Sequence, residues 1–434
     1  MGMEFHRVRD VFVTREGDEV ALRGWVFRIR KTGGLIFVLL RDATGLVQVV
    51  VNRTEVPGEE FDALEKALVE SAIEVSGKVK EEKKAPGGRE VHATRVNVIS
   101  YAERFPIFKD QSEEFLLDNR HLWIRSRHIV EATKVKAEIL RAAREWLREH
   151  EFIEVTAPEL TPNMVEGGAT LFELDYFEGK AYLGQSAQLY LEAMLFPLEK
   201  VYTITHSFRA EKSRTRRHLT EFTHLEAEEA WADNTKNMQT QEEMIAYICH
   251  QVARNARNSL LELGRDPQTL LEIETPFKKI TYDDAAKTLD ERLEHGFQYG
   301  NDFGAVEEET LTREETHPIF IYNYPVSAKS AFYMKVHPED SSKVLCADLL
   351  APEGYGEIIG GSERETDIPL LMKRLETQGE NIKNYEWYLD LRRYGSVPHA
   401  GWGLGIERLA RWICKLEHIR DATPFPRTPS RVYP

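Results

Sequence analysis

Alternating apolar and polar residues dominate the first hundred positions of the chain. Residues 20–52 predict two strands separated by the turn Gly33-Gly34, and residues 91–100 predict a further strand. A helical pattern at 59–70 interrupts these strands. Several short strands with one helix are typical of a small β-barrel, which we expect over residues 1–105.

The pattern changes after this region. Residues 105–128 have weak periodicity and predict a linker. A long amphipathic helix is predicted near 130–150, because apolar residues recur every three to four positions along one face. Strands and helices mix over 152–230, and residues 235–263 again predict helix. The apolar stripe of the long helix consists of Val135, Ile139, Ala142 and Trp146.

The composition is that of a globular protein, with 42% hydrophobic and 30% charged residues among 434. No apolar run approaches about 18 residues, so we expect no transmembrane helix, and the N-terminus has no apolar secretory segment. Cys249, Cys346 and Cys414 lie far apart and form no CxxC pair. This spacing argues against a disulfide framework or a cysteine zinc site and favours a cytoplasmic protein.

The charge is unevenly distributed along the chain. Residues 1–100 hold equal numbers of basic and acidic side chains, so the remainder carries the whole net charge of −15. Net charge bears on solubility and steering rather than on fold. A nucleic-acid partner is therefore compatible with the acidity, provided that it binds to local basic patches.

A basic loop between two strand-like segments occupies residues 203–231. Arg209 and Glu211 share one face of the first segment, because side chains two apart on a strand point the same way. Arginines in such a place can fork onto phosphate oxygens. The loop itself is cationic and carries Lys212, Arg214, Arg216, Arg217 and His218.

The second segment alternates in the same manner. Phe222, His224, Glu226 and Glu228 share one face, and the residues between them form a more apolar face. An aromatic ring can stack on a base, and carboxylates can hold an ammonium or amide group. The pattern therefore suits a nucleotide, although a solvated amphipathic hairpin explains it equally well when it is taken alone.

Two further segments carry candidate chemistry. Asp348 and Glu357 lie near a glycine-rich turn, and Mg²⁺ on a nucleotide typically takes one or two carboxylates. An acidic surface turn is the alternative. Arg408 follows a glycine-rich run at 401–405 and could clamp a phosphate, or could simply begin a helix. No clear strand precedes that run, which argues against a dinucleotide-binding fold.

Taken together, these segments closely resemble class II aminoacyl-tRNA synthetases of the aspartyl/asparaginyl subgroup, in order and over essentially the whole chain. FRAE…RRHLTEF resembles motif 2 of that family, and GLGIERL resembles motif 3. The predicted helix at 130–150, followed by FIEVTAPEL with Pro158, resembles motif 1. QSAQLY and VEGGATLF are typical of the subgroup.

The resemblance implies an α+β protein. Residues 1–105 would form an OB-fold barrel that binds the tRNA anticodon, residues 106–130 a hinge, and residues 131–434 the class II catalytic domain. That domain would contain a six-stranded antiparallel sheet flanked by helices, and would form a homodimer through motif 1. In the barrel, Phe37 would stack on the central anticodon base with Arg30 and Gln48 at its edges, consistent with single-strand binding by aromatic stacking. A core phenylalanine is the alternative for Phe37.

The resemblance also assigns an ATP site. Arg209 would contact the α-phosphate, Phe222 and Arg408 would hold the adenine between them, and Glu211 would contact its amino group. Arg217 and His218 would lie near the β- and γ-phosphates. Asp348 and Glu357 would bind Mg²⁺, and the residues expected to be catalytic are Arg209, Glu357 and Arg408.

The choice of amino acid depends on the side-chain pocket. Aspartyl enzymes place a lysine where this chain has Leu191, while Arg364 is retained and can bond the side-chain oxygen. Glu228 is the candidate for accepting from an asparagine amide, and it would repel aspartate. Two like charges about 4 Å apart cost roughly 4 kcal/mol at an effective dielectric near 20, on the order of 10³ in discrimination. The residues expected around the α-amino and carboxylate groups are Glu166, Gln188 and Glu226.

These residues favour L-asparagine and tRNA(Asn) as substrates, with ATP and Mg²⁺. Three alternatives remain open. An aspartyl enzyme, possibly charging both tRNAs, is opposed by Leu191. An asparagine synthetase of the same catalytic fold is opposed by the barrel. An inactive RNA-binding paralogue is opposed by the presence of Arg209, Glu357 and Arg408.

Overall fold

The computed structural model describes residues 4–165, 171–212, 215–329 and 331–434. These residues form two compact units, the first ending at Leu116 and the second running from Leu117 to Pro434. Within the described ranges, no helix has the length and apolar character needed to cross a membrane.

The first unit is a closed five-stranded barrel with strand order β1-β2-β3-β5-β4. Apolar side chains alternate into its interior, as in β2, where Ile36, Val38 and Leu40 are at most 1% exposed. Two helices accompany the strands, α1 (Val8–Val11) and α2 (Gly58–Glu65). The strands are β1 (Glu19–Thr32), β2 (Leu35–Asp42), β3 (Gly45–Asn52), β4 (Ala72–Glu81) and β5 (Arg89–Ser100).

The predicted barrel is confirmed, but the prediction of two strands over 20–52 is wrong, because three strands occupy this region. A turn interrupts the second predicted strand after Asp42. Its carboxylate accepts from the backbone N–H groups of Thr44 at 2.7 Å and Gly45 at 3.1 Å. This local capping reverses the chain inside a run of apolar residues that continues on both sides.

The second unit contains an eight-stranded sheet of order β12-β13-β14-β15-β16-β11-β10-β6. The six central strands are antiparallel, as expected, and a parallel strand is added at each edge. A separate three-stranded sheet has the order β7-β9-β8. The strands are β6 (Ile153–Glu154), β7 (Leu160–Thr161), β8 (Phe172–Tyr176), β9 (Gly179–Leu183), β10 (Lys200–Phe208), β11 (Glu221–Ala230), β12 (Lys278–Thr281), β13 (Ile319–Tyr322), β14 (Cys346–Ala351), β15 (Gly356–Glu363) and β16 (His399–Gly405).

Helices cover this sheet. The predicted long helix is α5, and its stripe of Val135, Ile139, Ala142 and Trp146 is at most 4% exposed. Ser126 caps the helix by accepting from the backbone N–H of Ile129. The helices of the chain beyond the barrel are α3 (Glu113–Asp118), α4 (Arg120–Trp123), α5 (Arg127–Glu149), α6 (Gln188–Leu198), α7 (Asn234–Asn255), α8 (Arg257–Glu262), α9 (Pro267–Leu271), α10 (Tyr282–Arg292), α11 (Ala305–Thr312), α12 (Ile368–Thr377), α13 (Glu386–Arg393) and α14 (Ile406–Ile413).

Two connecting regions contain elements that the sequence pattern does not indicate. The stretch 105–128 contains the short helices α3 and α4, and its role as a linker stays a prediction. No clear strand was expected before the glycine-rich run that precedes Arg408, and this expectation is wrong, because the run itself belongs to β16 at the centre of the sheet. Glycine is a poor strand former, so its presence there depends on neighbouring side chains rather than on local preference.

Candidate active site

The antiparallel pair β10 and β11 forms one side of the candidate site. On β11, Leu225 and Ala227 face the hydrophobic core and are at most 1% exposed. Alternate positions therefore face the other way. Glu226 and Glu228 lie on that opposite face and line a cavity of about 610 Å³. The predicted division of this strand into an apolar and a polar face is thus what the structure contains.

The cavity brings together residues predicted from segments far apart in the sequence. Those at its wall are Gln188, Arg209, Glu211, Arg217, His218, Phe222, Glu226, Glu228, Asp348, Glu357, Arg364 and Arg408. Leu191 is not at this wall, because it is fully buried in an apolar cluster with Ala187, Leu195 and Val201. Glu166 lies outside the described residues.

Two glycines of β16 lie directly beside polar side chains of β11. A β-carbon at Gly401 would overlap the carboxylate of Glu228, and one at Gly403 would overlap the imidazole of His224. Both glycines pair with β11, where these side chains project over them. The glycine run is therefore required by the polar side chains of the neighbouring strand, and this explains a central strand that local preference does not predict.

Cationic side chains surround one half of the cavity. The Arg209 guanidinium lies 5.6 Å from the centre of the Phe222 ring. Arg408 Nη1 lies 3.1 Å from the Glu357 carboxylate. Arg217 forms a buried ion pair with Glu308, whose carboxylate also accepts from the backbone N–H of Glu357 at 2.6 Å. This half of the cavity combines an aromatic ring, which can stack on a base, with cations that can bind phosphates. Both are features suited to a nucleoside triphosphate.

Two carboxylates converge beside these cations. The hairpin of β14 and β15 places Asp348 Oδ1 and Glu357 Oε1 each 3.5 Å from the point where a β-carbon on Gly360 would stand. Lys329 Nζ lies 3.0 Å from Asp348 and 3.2 Å from Asp302. Among the described residues, no group of three or more metal-ligating side chains could hold an ion. A hard cation would need phosphate or water oxygens in addition, which is the usual arrangement for Mg²⁺.

Burial and neighbouring charge push the pKa values of these two carboxyls apart. Burial raises the pKa of Asp348 to about 7, with Glu357 and Asp302 adding to the effect and Lys329 opposing it. Burial would also raise the pKa of Glu357, but Arg408, Lys329 and Arg217 outweigh it and lower this pKa to about 2. Glu357 is therefore ionised throughout the physiological range.

An ion pair between Glu228 and Arg364 occupies the other half of the cavity. Arg364 Nε lies 3.1 and 3.2 Å from the two carboxylate oxygens, and both side chains are at most 4% exposed. Burial lowers the pKa of Arg364, but the Glu228 carboxylate outweighs this and raises it. Both residues were predicted to face the ligand, and in this structure they line the cavity and contact each other.

Glu226 is held at the start of α6. Its carboxylate accepts from the backbone N–H of Ala187 at 2.7 Å and from the Ser186 hydroxyl. A carboxylate is stabilised in this position by the partial positive charge of the helix N-terminus. Glu226 therefore stays at the cavity wall as a fixed negative group between the helix and the ligand space.

Several charged residues of this site are not indicated by the sequence motifs. Lys329 pairs with the predicted Asp348 and Glu308 with the predicted Arg217, while Asp302 pairs with Lys329, yet all three lie in segments without a recognisable motif. These residues reach their partners only through tertiary contacts. Glu308 and Arg217, for example, are 91 positions apart in the sequence. Only a charge balance over the whole site could have indicated that such partners were needed.

The three residues predicted to bind an anticodon lie on the outer face of the barrel. Arg30 pairs across strands with Phe37, and Gln48 pairs with Leu39, two residues from Phe37 on the same face. Phe37 is half-buried and lies between inward-facing neighbours, so a core role for its ring is excluded. Gln48 donates to the carboxylate of Glu90 at 2.7 Å, a buried residue that sequence analysis missed.

Comparison with known proteins agrees with both units. A family model described as tRNA synthetases class II (D, K and N) matches residues 112–429. A second model, described as an OB-fold nucleic acid binding domain, matches residues 20–99. The chain belongs to the class II tRNA synthetases of the D, K and N group.

Within this family, the chain is similar to asparagine–tRNA ligases. It is 51% identical to that of Thermococcus gammatolerans over 425 residues, 98% of each chain. The crystal structure of asparaginyl-tRNA synthetase from Pyrococcus horikoshii complexed with asparaginyl-adenylate superposes with a TM-score of 0.96 at 49% identity, covering 100% of both chains. An aspartyl tRNA synthetase from Entamoeba histolytica gives 0.86 at 25% identity, covering 100% of this chain and 93% of that one. The predicted family and fold class are confirmed.

Proposed function

We propose that this chain activates L-asparagine with ATP to give asparaginyl-adenylate and pyrophosphate, and transfers the asparaginyl group to the 3′ end of tRNA(Asn). The observation that carries the proposal is the buried pair of Glu228 and Arg364 at the cavity wall. A carboxylate beside a guanidinium offers one acceptor and one donor, which complements the NH₂ and C=O of a side-chain amide. The similarity to asparagine–tRNA ligases supports the same substrate.

ATP occupies the cationic half of the cavity in this proposal. Phe222 stacks on the adenine with Arg408 on its other face, and Glu211 accepts from the adenine amino group. Arg209 contacts the α-phosphate. Arg217 and His218 lie near the β- and γ-phosphates, so Arg217 exchanges its contact with Glu308 for a phosphate contact when ATP binds.

Asp348 and Glu357 are the residues that would hold Mg²⁺. Their carboxylates converge within the cavity, and the shortage of further protein ligands among the described residues leaves room for phosphate oxygens. When bound, the ion neutralises phosphate charge. The asparagine faces Glu228 and Arg364 with its side chain, while Gln188 and Glu226 serve its α-amino and carboxylate groups.

The chemistry needs no protein nucleophile. The asparagine carboxylate attacks the α-phosphorus, a bond forms between carboxylate oxygen and phosphorus, and pyrophosphate leaves with the electrons of the broken P–O bond. Arg209 stabilises the charge that develops on the phosphate, and the pocket fixes the two reactants in line. A hydroxyl of the tRNA 3′ end then attacks the adenylate carbonyl carbon and loses its proton, an ester C–O bond forms, and AMP leaves with the electrons of the broken anhydride C–O bond.

The barrel supplies anticodon binding. Phe37 stacks on a base while Arg30 and Gln48 contact its edges, as single-strand binding barrels do. We further propose a homodimer through α5 and the segment around Pro158, and a cytoplasmic location, where tRNA and ATP are available.

The experiment that tests the proposal is ATP–pyrophosphate exchange without tRNA, with asparagine and aspartate compared side by side. Exchange with asparagine, and little with aspartate, is the expected result. Exchange with aspartate alone would keep the class of enzyme but reject the assignment of the Glu228 and Arg364 pocket. Exchange with neither would reject adenylate formation.

A further inference from the structure

A second ion pair, Glu192 with Arg392, lies behind the cavity wall with both side chains fully buried. Arg392 Nη2 donates to Glu192 Oε2 at 2.5 Å, and the same oxygen accepts from the Tyr388 hydroxyl at 2.7 Å. His399 Nε2 lies 3.1 Å from it. A carboxylate so deeply buried is stable only with partners of this kind.

Glu192 reaches the amino-acid half of the cavity through two residues at its wall. Its Oε1 lies 4.0 Å from Arg364 Nε and accepts from Gln188 Nε2 at 2.9 Å. Arg364 therefore stands between two carboxylates, with Glu228 on one side and Glu192 on the other. Burial would raise the pKa of Glu192, but Arg392, His399 and Arg364 outweigh it and lower this pKa well below the ordinary value.

The neighbouring position on α6 has a different environment. Leu191 packs in the apolar cluster that includes Leu195 and Val201. Successive helical residues point about 100° apart, so Glu192 faces the charged cluster while Leu191 faces away from it. Of these two neighbours, Glu192 is therefore the one that faces Arg364 and the amino-acid half of the cavity.

We propose that Glu192 is a specificity-determining residue that acts through Arg364. Its negative charge balances the guanidinium groups of Arg364 and Arg392 together with Glu228, so that the pocket takes an uncharged amide. Without that charge, two guanidinium groups would face one carboxylate, and a negatively charged side chain would be attracted. The inference rests on the proposed use of asparagine and adds a second carboxylate to the discrimination against aspartate.

The test is Glu192→Gln, a change that keeps the side-chain volume and removes the charge. ATP–pyrophosphate exchange is measured with asparagine and with aspartate for wild type and variant. We expect the ratio of kcat/KM for asparagine over aspartate to fall on the order of 10- to 100-fold, the effect of one unit charge several ångströms from the ligand. A purely structural role would lower both activities and leave the ratio unchanged, which would overturn the inference.

Removing a positive charge from the same cluster separates an electrostatic effect on the ratio from a packing effect. Arg392→Gln removes a positive charge from the same cluster, so the ratio should rise, and the double variant Glu192→Gln/Arg392→Gln should return it towards wild type. If both single variants shift the ratio in one direction, the charge account is wrong. If Glu192→Gln alone does not fold, the ratio of Arg392→Gln is compared with that of the double variant, in which removing both partners leaves no unpaired buried charge. Equal ratios in these two variants would overturn the inference.

A matched control is Glu242→Gln. Glu242 is also buried, at 4% exposure, and accepts from the backbone N–H of Phe277 at 2.8 Å, but it does not line the cavity. Its replacement should leave the ratio unchanged. Wild-type protein that exchanges with aspartate instead of asparagine would reject the proposed function itself, an outcome distinct from an unchanged ratio in Glu192→Gln.

Discussion

The outer face of the barrel and the cavity of the second unit are both polar sites built on strands, but they differ in how their residues are held. On the barrel, Arg30 and Phe37 are exposed or half-buried and alternate with the core. In the cavity, Glu228 and Arg364 are almost fully buried and each depends on the other. A change on the barrel should therefore remove one contact, whereas a change in the cavity should also uncover a charge.

The largest effect is expected from Arg209→Ala, which removes a cation from the wall of the cavity. Loss of the group proposed to stabilise the α-phosphate should lower ATP–pyrophosphate exchange by about 10³-fold. The circular dichroism spectrum and Tm should stay close to wild type. Arg216→Ala is the matched control, because Arg216 is 67% exposed and pairs with Glu417 at the surface. An Arg209→Ala variant that retained exchange within tenfold of wild type would contradict the assignment.

Next in size is the stability lost in Glu228→Gln. The change removes the only carboxylate in direct hydrogen-bond contact with the buried Arg364 among the described residues, with Glu192 remaining 4.0 Å away, and breaking such a buried pair typically costs about 3–5 kcal/mol. Urea unfolding followed by fluorescence measures the loss. Glu173→Gln is the control, since Glu173 is 53% exposed and pairs with Lys180 at 3.1 Å, where a loss within about 1 kcal/mol is expected. Equal losses in the two variants would show that the buried pair with Arg364 adds no more to the free energy of unfolding than an exposed pair does.

Features that depend on residues close in sequence are predicted from the sequence, whereas features that depend on remote neighbours are not. Alternation and helical periodicity correctly predict the barrel, the stripe of α5 and the two faces of β11, because each depends on residues close in sequence. Phe37 could be assigned to a face only from its register. The glycine-rich strand β16 was not predicted, because its glycines are needed to make room for Glu228 and His224 on a neighbouring strand.

Charge partners are the main class that the sequence does not indicate. The motifs collect Arg209, Glu357 and Arg408 into one site, but motifs do not identify Glu308 or Glu192, whose partners are remote in sequence. Leu191 illustrates the converse, because a motif position suggested a pocket residue and the structure places it in an apolar cluster. Burial makes such partners necessary, and burial is a property of the whole fold.

A smaller effect is expected on the barrel side of the comparison. Phe37→Ala should weaken tRNA aminoacylation by about 1–3 kcal/mol, roughly 5- to 150-fold in kcat/KM, because it removes one stacking contact. ATP–pyrophosphate exchange without tRNA should be unchanged, and Phe37→Tyr, which keeps the ring, should stay near wild type. A parallel loss of both activities in Phe37→Ala would contradict the separation of the two sites.

The smallest effect concerns the stability of the protein in acid, which tests whether the cations of the cavity keep His218 neutral. Burial, Arg408 and Arg217 lower the pKa of His218 to about 4 from an ordinary value near 6.5. The folded protein then holds this imidazole neutral between these pH values while the unfolded chain binds a proton. Stability from this group is present above pH 6.5 and is lost as pH falls towards 4.

His218→Gln should remove this dependence, so its free energy of unfolding should decrease less than that of wild type between pH 7 and pH 5. The difference should be roughly 1 kcal/mol, since the side chain is only partly exposed and the limit is about 1.4 kcal/mol per pH unit for one proton. Urea unfolding at the two pH values measures it, with His121→Gln, an exposed histidine, as the control. If the two variants lose the same stability on acidification, then the cavity cations do not hold His218 neutral, and its proposed place beside the phosphates loses its electrostatic support.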